Sequence, residues 1–226
     1  MHWERMEMLQ KLKENYKHIL FMLSIPVVSS LYPIFNNTSR GYQEVITPID
    51  NVVPFVKEFI LGYIAWYPFI ILTLIYLCMK DKKVYYRTLI SLLIGFVVSF
   101  VIFFLFQTHV PRPDVTGNDI FSKLVRLIYA SDKPYNCFPS LHVLESHLMV
   151  MGVNALEEKN KKVQYLVIFT SIIIILSTQF VKQHVIIDVV GGLYLAEIIF
   201  NSIPGLKRIV VSIRKRRLKA TEENAI

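Results

Sequence analysis

The stretch TLISLLIGFVVSFVIFFLFQ, residues 88–107, runs for twenty residues without a charge. As a helix it rises about 30 Å, the thickness of a bilayer's hydrocarbon core. Similar apolar runs lie on both sides of it, at 18–35, 59–79, 141–156, 163–180 and 184–203. The chain has 226 residues, of which 54% are hydrophobic and 19% charged, and its mean hydropathy is +0.45. A soluble domain of this size has no use for so much apolar surface. The expected fold is all-α, a polytopic membrane protein with six transmembrane helices. Pro26 and Pro33 fall inside the first span, where neighbouring helices satisfy the freed carbonyls. Residues 1–17 read as an amphipathic basic tail on the membrane surface. Residues 18–204 form the membrane domain, which Pro204 and Gly205 end, and 205–226 form a second basic tail. Within the long connection 108–139, residues 120–129 are periodic enough for a short amphipathic helix.

Six spans place both termini on one side. Eighteen of the 25 Lys and Arg residues then fall on that side: in the two tails, around Lys80–Arg87, and after the fourth span. The positive-inside rule puts that side in the cytoplasm and the other at the outer face of the cell membrane. The basic excess sits beside membrane segments, where anionic lipid is its counterpart, and no nucleic-acid partner is expected. Cys78 and Cys137 fall on opposite faces, so no disulfide joins them, and neither has zinc-site spacing to a histidine.

The chemistry gathers around Cys137-Phe138-Pro139-Ser140-Leu141-His142. Pro and Ser before an apolar run mark a helix start, whose free N–H groups and dipole favour an anion. Further on, His184 and Asp188 stand four apart at a helix start and share a face. A carboxylate on one imidazole nitrogen leaves the other as a lone pair, which makes the histidine nucleophilic. Attack on a phosphate ester needs positive charge on the phosphoryl oxygens. Arg112 offers a bidentate fork, Lys182 a point charge and Ser140 a hydroxyl. His142 then serves the leaving oxygen as acid and water as base. This set requires no metal and no cofactor. The positive-inside orientation puts Arg112, Ser140, His142, Lys182 and His184 on the outer side together.

Arg112-Pro113, Pro139-Ser140-Leu141-His142, and Ser177 with His184 and Asp188 resemble the three motifs of the type 2 phosphatidic acid phosphatase (PAP2) superfamily. That pattern is roughly K-x6-RP, PSGH and SR-x5-H-x3-D. The Pro-Ser-Leu-His variant is similar to the branch that includes inositol phosphorylceramide synthases. The resemblance implies a helical membrane fold and a metal-independent phosphohistidine mechanism acting on a membrane lipid phosphate. It makes His184 the nucleophile, Asp188 its orienter, His142 the acid and base, and Arg112 and Ser140 phosphate ligands. Three positions depart from the pattern. Leu105 replaces the lysine of the first motif, Thr178 the arginine of the third, and Leu141 the glycine of the second. Lys182, one turn past Thr178, is expected to make good one lost charge.

Hydrolysis of a lipid-linked ester or anhydride is the first reading, and transfer to an alcohol is the alternative. A non-catalytic membrane protein or small transporter is a third class; no repeated half or paired broken helix supports transport. His18 and His147 read as interfacial residues. His109, three residues before Arg112, is a candidate to line the site. Glu145 either faces the site or fills a polar gap between helices. Asp188, a carboxylate within an apolar span, is costly and therefore points to function.

Overall fold

The computed structural model describes residues 2–36, 39 and 41–223; for residues 2–5, 7–9, 11–12 and 206–223 it describes the backbone alone. Most side chains of the two basic tails, and Arg40, fall outside the described part. Among the described residues the chain is helical, with isolated β-bridges and no strand.

The N-terminal segment is a broken rod. α1 (His2–Ile19) passes through a 3-10 turn into α2 (Ser24–Ser29) and then α3 (Tyr32–Phe35). Pro26 and Pro33 remove the N–H groups that Met22 and Ser29 would bond, which accounts for the interruptions. The rod lies on the rim of the molecule. Tyr32 packs edge-on against Phe103, and Phe35 stacks on Phe100 with ring centroids 5.3 Å apart. α4 (Pro48–Val52) follows, opened by a capping box between Thr47 and Asp50. α5 (Ile60–Ile64) and α6 (Trp66–Lys80) form one path broken at Ala65, because Pro68 supplies no N–H to Ile64's carbonyl. Asp81 caps α7 (Lys82–Leu105) through the amides of Lys83 and Val84. α8 (Ile120–Ser131) is the helix expected at 120–129, capped by Asp119. The Lys57 ammonium, with Ser122, holds the Asp119 carboxyl well below the usual range. α9 (Leu141–Asn154), α10 (Lys161–Phe180) and α11 (Ile186–Glu223) complete the bundle.

Among the described residues, five helical stretches are long and apolar enough to cross a membrane: Lys13–Phe35, Lys57–Lys80, Lys82–Leu105, Lys161–Phe180 and Ile186–Gly205. The sixth expected span, 141–156, is different. α9 has 14 residues, a rise of about 21 Å, short of a ~30 Å hydrocarbon core. It stays short because protein, not lipid, surrounds it and its ends are sunk between other helices. A Cβ on Gly152 would meet Thr88 Oγ1 at 2.6 Å and Leu77 Cδ1 at 2.8 Å. A Cβ on Gly192 would meet the Ser140 carbonyl at 2.7 Å. Val143, Leu144, Leu148, Met149 and Val153 are buried in the core formed with α6, α7, α10 and α11.

Pro204 does not end the last helix, as expected from sequence; α11 continues to Glu223 with Pro204 inside it. Proline strips the Phe200 carbonyl of its intrahelical donor. Arg87 supplies the replacement: its Nε and Nη2 donate to Phe200 O at 3.1 and 2.8 Å, and its guanidinium lies 3.8 Å from the Phe200 ring centroid. Arg87→Leu is therefore expected to leave that carbonyl bare. Thermal denaturation in detergent should show a loss of about 1–3 kcal/mol.

Candidate active site

α10 ends in a tight reversal. The amides of Gln183 and His184 both donate to Thr178 O, at 2.9 and 3.1 Å, and Lys182 takes a left-handed φ of 52°. His184 lies at this turn, two residues before α11, rather than within the last span. Its Nδ1 is 3.3 Å from Asp188 Oδ2, which leaves Nε2 as the free nitrogen. The same Asp188 oxygen accepts from Val185 N at 3.0 Å. Asp188 also acts through its backbone: its carbonyl accepts from Ser140 N at 3.1 Å. One fully buried residue thus orients His184 and fixes the start of α9. That start carries His142, whose ring centroid is 5.8 Å from that of His184. Tyr63 and Trp66 pack on His142 at 4.4 and 4.5 Å.

The connection after α7 brings Arg112 into place. Gln43 N donates to Gln107 O and His109 N to Gln43 O. Thr108 Oγ1 accepts from the amides of Cys137 and Phe138 at 3.1 and 2.8 Å, which ties this connection to the loop before α9. The Arg112 guanidinium lies 4.6 Å from the Tyr129 ring centroid. Its Nη1 donates to the Asp132 and Tyr129 carbonyls and its Nη2 to Gln183 Oε1. Of the five N–H groups an arginine carries, this leaves Nε–H, buried without a partner, and one on Nη2. Gln183 Nε2 and Asn136 Nδ2 are likewise buried donors without partners. Arg112, Gln183, Asn136, His142 and His184 all line one cavity of about 780 Å³. Away from the histidines it continues between the N-terminal rod and α5–α6, past Met22, Ile70, Ile71 and Phe96.

The structure therefore brings His142, His184, Asp188 and Arg112 together. Ser140 and Lys182 lie next to this group but do not line its cavity. Ser140 is fully buried, does not line this cavity, and its Oγ caps α9 by accepting from Val143 N at 3.4 Å. Lys182 donates from Nζ to Asp50 O at 3.1 Å and to Val53 O at 2.5 Å. It faces a separate cavity of about 190 Å³, also lined by Asp50, Pro111 and His184. His109 pairs with Glu44 at 2.8 Å, and His147 with Glu197 at 2.9 Å. Glu145 lines the large cavity.

Three cavity residues carry no sequence signal. Gln183 and Asn136 are neutral amides in loops. Asp132 follows α8; its Oδ1 accepts from Tyr32 and Asn36 at 2.9 and 3.0 Å, joining the N-terminal rod to the site. Burial pushes the Asp132 carboxyl up, while the Arg112 charge opposes the shift. Cys137, His184 and Asp188 each offer one ligand atom within 4.8 Å of the others. Burial pushes the Cys137 thiol up, so it stays protonated, and its Sγ lies 3.4 Å from the Pro134 carbonyl.

A model of the PAP2 superfamily matches residues 57–201. The chain belongs to the PAP2 superfamily. No curated protein and no solved structure matches it. PAP2 membership carries a phosphatase or phosphotransferase type of action on lipid phosphates. Against the motif pattern, the two replaced cations are both accounted for. Leu105 is 75% exposed on the rim at the end of α7, and Thr178 Oγ1 turns back to bond Ile175 O at 2.7 Å. Neither position sends any group into the cavity, where Gln183 and Asn136 offer amide donors instead.

Lys182 and Gln183 are neighbours that should behave differently. Lys182→Met is expected to lower the melting temperature, since it frees two carbonyls of the 48–53 segment, and to raise KM less than threefold. Gln183→Leu should raise KM about tenfold, the worth of one hydrogen bond to an anion. Steady-state kinetics and thermal melts on both variants check the contrast.

Proposed function

We propose that this protein is a membrane lipid-phosphate phosphatase that acts at the outer leaflet through a phosphohistidine intermediate. The observation that carries this reading is the pair of imidazoles facing one cavity beside three buried, unpartnered N–H donors. Such donors are costly to leave unmet and suit a phosphoryl group. The apolar continuation of the cavity suits the tail of a lipid, such as phosphatidic acid, a lysophospholipid, phosphatidylglycerol phosphate or a polyprenyl diphosphate. The weight of Lys and Arg at the opposite end supports the outer face.

In the first step His184 Nε2 attacks phosphorus while Asp188 holds the proton on Nδ1. Arg112, Gln183 and Asn136 donate to the phosphoryl oxygens as charge spreads over them. The bond from phosphorus to the lipid oxygen breaks, and His142 protonates that oxygen. In the second step water enters; His142 takes its proton as the water oxygen attacks phosphorus. The P–N bond breaks, its electron pair returns to His184, and phosphate leaves. Lys182 and Ser140 support the site by holding the 48–53 segment and the start of α9.

A second reading, lipid headgroup phosphotransfer, replaces water with an alcohol. It is favoured by one observation, the unpartnered carboxyl oxygen of Glu145 on the cavity wall beyond His142.

The test uses purified protein with a panel of lipid phosphates, read by phosphate release and product mass. His184→Ala should lose about 10³-fold or more of the wild-type rate while still inserting into membranes. EDTA should leave the rate unchanged.

A further inference from the structure

We propose that Glu145 and Trp66 form a subsite for a second hydroxyl of a polyol acceptor, one helical turn deeper than His142. The inference rests on the phosphoryl-transfer reading above and adds a substrate class to it. Glu145 is 1% exposed, and its Oε1 has no hydrogen-bond partner in the protein. Trp66 Nε1 is also buried without a partner. Both residues line the large cavity, and both flank His142. Trp66 packs on the His142 ring at 4.5 Å. Glu145 follows it by three residues on α9, which puts the two Cβ atoms about 5–6 Å apart on one face.

A buried carboxyl group whose acceptor oxygen has no partner costs stability, so a ligand is its natural complement. Acceptor oxygen and donor N–H together match one hydroxyl, which gives its hydrogen to Glu145 and receives one from Trp66. An acyl tail uses neither group, and a phosphoryl oxygen uses only the Trp66 donor. A polyol would place one hydroxyl at His142 and a second at this neighbouring pair. Its reacting hydroxyl loses its proton to His142 as its oxygen attacks the phosphorus held on His184. The P–N bond breaks, its electron pair returns to the imidazole, and a new phosphate ester leaves with the acceptor. The second hydroxyl stays on Glu145 and Trp66.

The experiment supplies the purified full chain with labelled phosphatidic acid in detergent micelles. A 1-monoacylglycerol, which carries two hydroxyls, competes with a 1-alkanol of equal chain length. Initial rates give free phosphate and each phosphorylated acceptor, and the ratio of the two acceptors is independent of overall rate. Wild type should favour the diol by about tenfold, the discrimination of one buried hydrogen bond. Glu145→Met, which removes the acceptor at similar volume, and Trp66→Phe, which keeps the ring packing, should each bring the ratio to within about twofold of unity. Glu145→Leu should abolish the preference and raise the melting temperature by removing an unmet buried group. Turnover with no diol preference in wild type, or a preference intact in both Glu145→Met and Trp66→Phe, overturns the subsite alone. A wild-type protein that neither releases nor transfers phosphate overturns the phosphoryl-transfer reading, and the subsite with it.

Discussion

Asp188 is the residue on which the arrangement depends. Its carboxylate oxygen faces His184 Nδ1 and Val185 N, and its carbonyl receives the amide that opens α9. One imidazole is carried by α9 and the other by the turn before α11, 42 positions apart in the chain. Asp188 sets one directly and the other through the position of a helix end. A buried carboxylate in an apolar span is tolerated because both its neighbours and its backbone are committed. Its Oδ1 remains without a partner in the structure.

The short central helix follows from the same constraint. To bring His142 against His184, α9 must begin below the end of the bundle, at the level of Gly192. It must also run close to its neighbours, which Gly95, Gly152 and Gly192 permit by offering no Cβ. A recessed start leaves room above and beside it, and the large cavity occupies that room. Its wall is completed by the N-terminal rod, tied to the site through the Tyr32 and Asn36 bonds to Asp132. The rod is thus part of the cavity as well as a membrane span. At the far end, Arg87 closes the carbonyl that Pro204 leaves open, so α11 keeps its direction past the proline.

Much of this was legible from residues 88–107 outward. Long uncharged runs have one solution in lipid, so helices and their approximate limits follow from hydropathy alone. The meeting of Arg112, His142, His184 and Asp188 followed from motif spacing. What spacing does not encode is which long-range partner a side chain takes. Lys182 was expected at the phosphate because a free cation lies near the motif. Its partners are carbonyls 129 and 132 positions earlier in the chain, on a loop with no periodic signal. Ser140 was expected as a ligand, yet a serine before a helix is equally a cap, and the cap is what forms. At 14 residues α9 falls outside the five candidate spans, because apolar composition does not separate a helix facing lipid from one encased by protein; it still runs from the level of Asp188 to that of Leu77 and Thr88 at the other end of the bundle. Gln183 and Asn136 were invisible because a neutral amide in a loop has no pattern until the fold gives it a neighbour.

The most direct measurement is of the covalent intermediate. Wild-type protein turning over phosphate-labelled lipid would be quenched within one cycle, digested and mapped by mass spectrometry. The expected result is an acid-labile, alkali-stable phosphoryl group on the imidazole of His184 alone. Label on another residue, or steady turnover with no covalent label at any quench time, would contradict it.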